Sequence, residues 1–365
     1  MANLVLYRKY RPRTFAEVVG QEHVVQTLTN AVSTGMVSHA YLFSGPKGSG
    51  KTTTARLLAK AVNCQNRNEK EFEPCNHCSS CNEINEGRAI DLIEIDAASN
   101  RGIDEIRELR DGIRFSPAKS KYKVFIIDES HQLSKDAANA LLKTLEEPPS
   151  HAIFVLATTE IHKMIPTIIS RCQRFDFRKL TLPEIVGRLE WIAQKEKAKI
   201  EKPSLELIAL NSGGSARDAE GLLDQVLTFG SCKPEEIKEL LGMVDIGLVS
   251  QFVDLICQKQ GAKSIEFLNK ILEKGKDPQE FTKALINYLR QGLILKISPD
   301  LTNPIVAGLT QEEQKKLSDL TANFSEADLH RILKLFLDAE TKMKYSPIIQ
   351  LPLELAIIEA LQKDE

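Results

Sequence analysis

The chain has 365 residues, 42% of them apolar, and carries 48 Lys and Arg against 50 Asp and Glu for a formal net charge of −2. That length suggests two or three domains, and the near-neutral balance gives no general support for nucleic-acid binding, although local basic patches stay open. No apolar run reaches the roughly 18 residues of a membrane span, and Met1-Ala2-Asn3-Leu4 does not open a secretion signal. The expected compartment is the cytoplasm, where seven cysteines with three in a tight group favour metal over disulfides.

The first segment, Tyr7-Arg8-Lys9-Tyr10-Arg11-Pro12-Arg13-Thr14-Phe15, is basic and aromatic. It suits a nucleic-acid arm, a solvated tail or a segment folding over a bound base, and spacing alone does not choose. Val18-Val19-Gly20-Gln21 follows, then a helix with Val24, Val25 and Leu28 at helical spacing.

His39-Ala40-Tyr41-Leu42-Phe43-Ser44 reads as a buried strand and Thr53 to Val62 as a helix. Between them, Gly45-Pro46-Lys47-Gly48-Ser49-Gly50-Lys51-Thr52 fits G-x-x-x-x-G-K-[ST] at every fixed position. Strand, glycine-rich loop and helix form a phosphate cradle: backbone N–H groups turn inward, and the helix N-terminus adds partial positive charge. In that reading Lys51 reaches the β- and γ-phosphates and Thr52 holds Mg²⁺.

Residues 63–83 interrupt this pattern. Cys75-Asn76-His77-Cys78-Ser79-Ser80-Cys81 is C-x₂-C-x₂-C, and Cys64 stands at the end of the preceding helix. Four thiolates close a tetrahedral, structural Zn²⁺ site that would hold an exposed loop. His77 is an alternative to one thiolate. An iron–sulfur cluster fits less well, because no fourth cysteine followed by proline comes downstream.

Further strands are expected over Asp91–Asp96, Lys123–Ile127, Ala152–Ala157 and Gln173–Phe177. Helices are expected over Ile103–Ile113 and residues 134–147, the latter stopped by Pro148-Pro149. The apolar strand 123–127 suits a parallel sheet covered on both faces, with the ligand at the strand C-termini. Asp128 and Glu129 end that strand. Paired with the glycine loop, Asp128 suits the Mg²⁺ shell and Glu129 the water-activating base. Thr158, at the end of the next strand, suits either a contact to phosphate or water or a plain strand end. Arg171, in Ser170-Arg171-Cys172, suits a finger onto a neighbouring subunit's nucleotide or a surface ion pair. Arg217 opens a helix in Gly213-Gly214-Ser215-Ala216-Arg217-Asp218, and on spacing alone a surface pair with Asp218 or Asp224 is favoured.

After residue 179 strand signals stop. Helices are expected over 181–198, 203–211, 215–229 and 234–242, and 246–361 reads as all helix with joints near Gly261, Gly275 to Pro278, Ser298-Pro299 and Pro352. The fold class is therefore α/β with a parallel sheet, followed by helical domains.

Taken together, these residues resemble the clamp-loader ATPases of the AAA+ class, most closely the tau/gamma subunits of bacterial DNA polymerase III. The marks are Tyr10 to Phe15, Val18 to Gln21, the loop 45–52, the four cysteines, Asp96 to Ser99, Asp128 to His131, Leu141 to Pro149, Leu156 to Thr159, Ser170 to Cys172 and Gly214 to Ala219. The inserted cysteine knuckle is the most specific of them. The resemblance implies an AAA+ ATP-binding domain over 1–178 with the zinc insertion at 64–81, a helical lid over 179–243 and a collar over 244–365. It implies that Thr158 is a first sensor, Arg171 a trans-acting finger and Arg217 a second sensor, and that Arg11, Pro12, Val19 and Gly20 line the adenine pocket. It further implies ATP, Mg²⁺ and Zn²⁺ as cofactors. The implied partners are delta and delta-prime subunits, further copies of the chain, a sliding clamp and primed DNA, with Asn100, Arg101 and Lys143 as candidate DNA contacts. Tau forms continue past the collar to segments that bind helicase and polymerase. This chain stops at Gln362-Lys363-Asp364-Glu365, as a short form or a truncation of a longer tau form. Two other functions compete: a helicase-like motor, since Asp128-Glu129-Ser130-His131 matches D-E-x-H, and a scaffold that binds ATP without turnover. The helical reading after residue 179 argues against the first, and the set Lys51, Thr52, Asp128, Glu129 and Arg171 against the second.

Overall fold

Three apolar strands with alternating side chains organise the first half of the chain. The computed structural model describes residues 4–68, 70–99, 112–113, 115–230, 233–298 and 311–362. It divides into two units, Met1–Ile237 and Lys238–Glu365.

In the first unit, β1 (Ala40–Ser44), β2 (Leu92–Asp96), β3 (Lys123–Asp128), β4 (Ala152–Thr158) and β5 (Gln173–Asp176) form one sheet. Its order is β2-β3-β4-β1-β5, and every neighbouring pair is parallel. Successive side chains point to opposite faces. Tyr41, Phe43, Val124, Ile126, Ile153 and Val155 therefore join one apolar cluster. Ala40, Leu42, Phe125, Ile127, Phe154 and Leu156 join the other. Both faces are covered, as continuous apolar strands require.

Among the described residues the longer helices of this unit are α1 (Leu6–Lys9), α2 (Glu22–Thr34), α3 (Lys51–Asn63), α4 (Ser79–Asn85), α5 (Lys135–Glu146), α6 (Pro166–Ile169), α7 (Leu182–Lys195), α8 (Lys202–Asn211), α9 (Ala216–Phe229) and α10 (Pro234–Leu240), the last crossing the division between the units. Their starts are written locally. Thr181 and Glu184 form a reciprocal capping box on α7, and Ser215 caps α9 by accepting from the Asp218 N–H.

Two features differ from the expectations. The helix expected from Thr53 begins at Lys51, so its free N–H groups lie at the glycine loop itself. The loop expected around Asn66, Asn68 and Pro74 is present, and the cysteine segment then runs into α4, which the sequence did not announce: the Cys78 thiol accepts from the Cys81 N–H and so acts as its N-cap. The joint expected near Pro352 is present: residues 344–350 separate two helices, and Pro352 sits in the first turn of Leu351–Leu361, where a missing N–H costs nothing. The helix expected over Ile103–Ile113 lies outside the described residues except for 112–113, which are helical.

Among its described residues the second unit is built of helices without a strand: α11 (Ile246–Cys257), α12 (Gly261–Glu273), α13 (Pro278–Ile297), α14 (Gln311–Ala322), α15 (Glu326–Met343) and α16 (Leu351–Leu361). Phe252, Phe281 and Phe336 are fully buried at its centre. Phe252 and Phe281 meet edge to face at 5.2 Å, a favoured aromatic geometry.

Candidate functional site

The glycine loop joins β1 to α3 at the C-terminal edge of the sheet. Gly48 has φ +74°, and a Cβ there would lie 1.9 Å from Ser215 Oγ, so only glycine lets the α9 cap approach the loop this closely. Lys51 is 6% exposed. Its ammonium donates to Gly45 O at 2.7 Å and Pro46 O at 2.9 Å. Burial lowers its pKa, opposed by the charges of Glu129 and Asp128.

Thr52 Oγ1 donates to Asp128 Oδ2 at 2.7 Å, joining the two expected Mg²⁺ ligands across 76 positions of sequence. Glu129 adopts φ +46°, a left-handed conformation that costs a non-glycine residue energy and recurs at functional sites. Its N–H donates to Asp128 Oδ1 at 3.0 Å. Its Oε2 accepts from Thr159 Oγ1 at 2.8 Å and lies 3.4 Å from His131 Nδ1. The same His131 nitrogen is 2.9 Å from Thr158 Oγ1, which also accepts from the Glu160 N–H at 3.0 Å. The water-activating candidate and the first-sensor candidate are thus joined through a buried imidazole. His131 and Thr159 were not singled out from sequence, although His131 was visible in Asp128-Glu129-Ser130-His131.

Arg217 stands in the first turn of α9, with its guanidinium 5.0 Å from the centre of the Tyr7 ring. A hydrogen bond from Arg217 lowers the Tyr7 pKa. The pair expected with Asp218 or Asp224 is not among its described contacts. Arg171 does not join this cluster. It pairs with Glu146 at 2.6 Å and donates to Thr167 O at 2.8 Å. It precedes β5, whose first residue lies opposite Tyr41, whereas the glycine loop follows Ser44 opposite Asp176. Along the strand direction Arg171 is therefore more than about 10 Å from the loop of its own chain.

The segment expected to hold a base crosses the start of α3. Arg11 Nε donates to Thr53 Oγ1 at 3.2 Å, and Arg11 and Pro12 line an 80 Å³ cleft with Thr53 and Leu57. Val19 is half-buried. A Cβ on Gly20 would lie 2.4 Å from Leu180, so this residue is closely packed against the chain just before α7. Two polar residues that the sequence did not single out hold this arrangement. Gln21, fully buried, donates to Arg178 O at 2.8 Å and to Ser49 O at 3.4 Å. Arg188 pairs with Glu220 at 2.9 Å, both buried, and also donates to Tyr10 O. Burial raises the Glu220 pKa against the pull of Arg188. Lys143 is exposed in the last turn of α5, and Asn100 and Arg101 lie outside the described residues.

The sulfur atoms of Cys64, Cys75, Cys78 and Cys81 all lie within 4.8 Å of one another. Tetrahedral Zn²⁺ with Zn–S near about 2.3 Å needs sulfurs roughly 3.8 Å apart, so the donor set fits. Backbone N–H groups of Cys75 and Cys78 donate to the thiols of Cys64 and Cys75, both at 3.3 Å. Burial pushes the Cys64 and Cys81 thiols up; at Cys78 burial is outweighed by the N–H groups of Cys81 and Gln65, which bring it to about 6. His77 stands outside the cluster, its Nδ1 at 2.7 Å from Cys75 O and its Nε2 at 3.1 Å from Asn66.

Three family models match in succession: DNA polymerase III, delta subunit over residues 20–181; DNA polymerase III clamp loader subunit, ATPase lid domain over 184–232; and DNA polymerase III subunits gamma and tau domain III over 232–364. DNA polymerase III subunit tau of Bacillus subtilis is 43% identical over 99% of this chain and 64% of its own length. The tau subunit of Escherichia coli is 36% identical over 99% of this chain and 56% of its own. DNA polymerase III subunit gamma of Buchnera aphidicola from Acyrthosiphon pisum is 36% identical, with 98% of both chains covered. The chain thus spans 64% or less of the two tau relatives but nearly all of the gamma relative. With both lengths aligned end to end on a gamma subunit, the chain belongs to the gamma/tau family of DNA polymerase III subunits.

Proposed function

We propose that this chain is a motor subunit of a replicative clamp loader, using ATP binding and hydrolysis to place a sliding clamp on primed DNA. The observation that carries the reading is the contact of Thr52 with Asp128 beside a buried Lys51, in a chain of this family. Residues 1–178 would form the ATPase domain, 179–243 the lid and 244–365 the collar.

In that reading the loop N–H groups and Lys51 hold the phosphates, and Arg11, Pro12, Val19 and Gly20 hold the base. Thr52 and Asp128 would bind Mg²⁺, which when present neutralises phosphate charge. Lys51 now bonds two loop carbonyls that the phosphate oxygens would replace as partners. Glu129 takes the proton from the attacking water, and must first exchange its Thr159 hydrogen bond for that water. Thr158 reports on the same network through His131. Arg217, on the helix whose cap touches the loop, turns from Tyr7 to the phosphates as the lid closes. Arg171, remote from its own loop, serves the nucleotide of a neighbouring subunit. The Cys₄ set holds Zn²⁺ structurally.

Exposed Leu351, Leu355 and Ile358 form one stripe of α16, which supports a collar that packs against delta, delta-prime and further copies of the chain. No described helix is long and apolar enough to cross a membrane, and a cytoplasmic place suits this work. The chemistry these residues assemble is ATP hydrolysis.

Glu129→Gln is expected to bind ATP normally and lose about 10²-fold or more in turnover. Turnover unchanged in that variant rejects Glu129 as the base. Metal analysis of the reduced protein is expected to find one Zn²⁺ per chain, and a metal-free, folded protein rejects that site.

A further inference from the structure

We propose that the cysteine knuckle positions the base-binding segment, acting through Glu73, Asn76 and Lys60. The inference rests on the reading that Arg11, Pro12, Val19 and Gly20 line the base pocket. It goes beyond a knuckle that only stabilises its own loop.

Two side chains of the knuckle, Glu73 and Asn76, bond to the backbone of residues 13–16. Glu73 accepts from the Phe15 N–H at 2.8 Å on one oxygen and from the Ala16 N–H at 2.9 Å on the other. These N–H groups open the short helical turn Phe15–Glu17 and have no partner within it. Asn76 holds φ +60° and donates from Nδ2 to Arg13 O at 3.0 Å. Its Oδ1 accepts from Lys60 Nζ at 2.5 Å. Lys60 is 2% exposed, and its three donors are filled by Asn76 Oδ1, Arg13 O at 2.9 Å and Asn85 Oδ1 at 2.9 Å. One buried ammonium therefore ties α3, the knuckle, α4 and the base segment together.

Glu73 and Asn76 flank Cys75, whose thiol meets those of Cys64, Cys78 and Cys81. Fixing Cys75 fixes both side chains. They fix Arg13 to Ala16, which leaves Arg11 and Pro12 on one side of the anchored stretch and Val19 and Gly20 on the other. The phosphate loop makes none of these bonds. Loosening the latch should thus weaken contacts to the base while sparing contacts to the phosphates.

The test compares equilibrium binding of ATP and of inorganic tripolyphosphate, which lacks base and ribose, to the full chain. Glu73→Ala and Asn76→Gly are the variants, the glycine keeping the left-handed backbone. Wild type should bind ATP more tightly than tripolyphosphate. Each variant should lose about tenfold in ATP affinity, with tripolyphosphate binding changed less than about twofold, and Glu73→Gln should recover part of the loss through its one remaining oxygen. Equal loss for both ligands, or ATP affinity unchanged, overturns the latch. A wild-type protein that holds the two ligands equally overturns the base-pocket reading beneath it.

Discussion

The two units bury different kinds of residue. Inside the first lie Lys51, Lys60, Gln21, Thr158 and the Arg188–Glu220 pair, nearly all bonded to groups distant in sequence. Among the described residues of the second unit, the buried polar side chains are Ser264, Thr282 and Thr321. Each bonds back to a carbonyl of the preceding turn, at 3.0, 2.7 and 2.8 Å. The second unit also exposes Leu351, Leu355 and Ile358. A region that handles a charged substrate must keep charge inside and satisfy it there, since an unpaired buried charge is costly. In the proposed assembly the second unit would need only an apolar core and an apolar face to spare.

Breaking one buried feature in each unit sharpens this contrast. Arg188→Met leaves Glu220 buried without its cation and frees Tyr10 O, and is expected to cost about 3–5 kcal/mol of stability. Phe252→Ala opens a cavity among Phe281 and Phe336, and is expected to cost a similar 3–5 kcal/mol or so. The difference lies in binding: under conditions where both variants are folded, ATP affinity should fall in Arg188→Met and hold in Phe252→Ala. Denaturant unfolding and ATP titration of both proteins check this, and an equal fall in affinity would remove the distinction between the units.

A smaller effect concerns pH. Hydrogen bonds from Arg178, joined by the Thr181 N–H, hold the Glu184 carboxyl at about 2, against an ordinary value of 4.5. Its folded pKa is depressed, so its stabilisation is complete above 4.5 and fades as pH falls from there through about 2. Glu184→Gln should therefore flatten the acid side of the stability profile in that window and change little at pH 7. A profile superimposable on wild type below pH 4.5 would dismiss the contribution of Glu184.

Much of this was readable in the residues because local rules wrote it. The loop 45–52 carries its chemistry in consecutive positions, and the cysteine spacing sets four sulfurs within reach of one ion. Alternating strands declare both faces of a covered sheet. The hidden part is long-range. Glu73 meets Phe15 across 58 positions, Gln21 meets Arg178 across 157 and Arg188 meets Tyr10 across 178. A lone Glu, Gln or Arg has no pattern that announces such a partner. Lys60 in a helix reads as a solvated charge, and only the fold shows it buried with three acceptors. Helix α4 stayed hidden for the same reason, since Cys78 caps it only once the knuckle has closed.

The most direct test of the whole account is the ATPase rate of the chain assembled with delta and delta-prime, with and without sliding clamp and primed DNA, beside an Arg171→Ala version. The account predicts strong stimulation by clamp and DNA, and a loss of about 10³-fold or more in the stimulated rate of Arg171→Ala with ATP binding kept, because Arg171 is too far from its own loop to act in cis. A rate indifferent to clamp, DNA and Arg171 would contradict it.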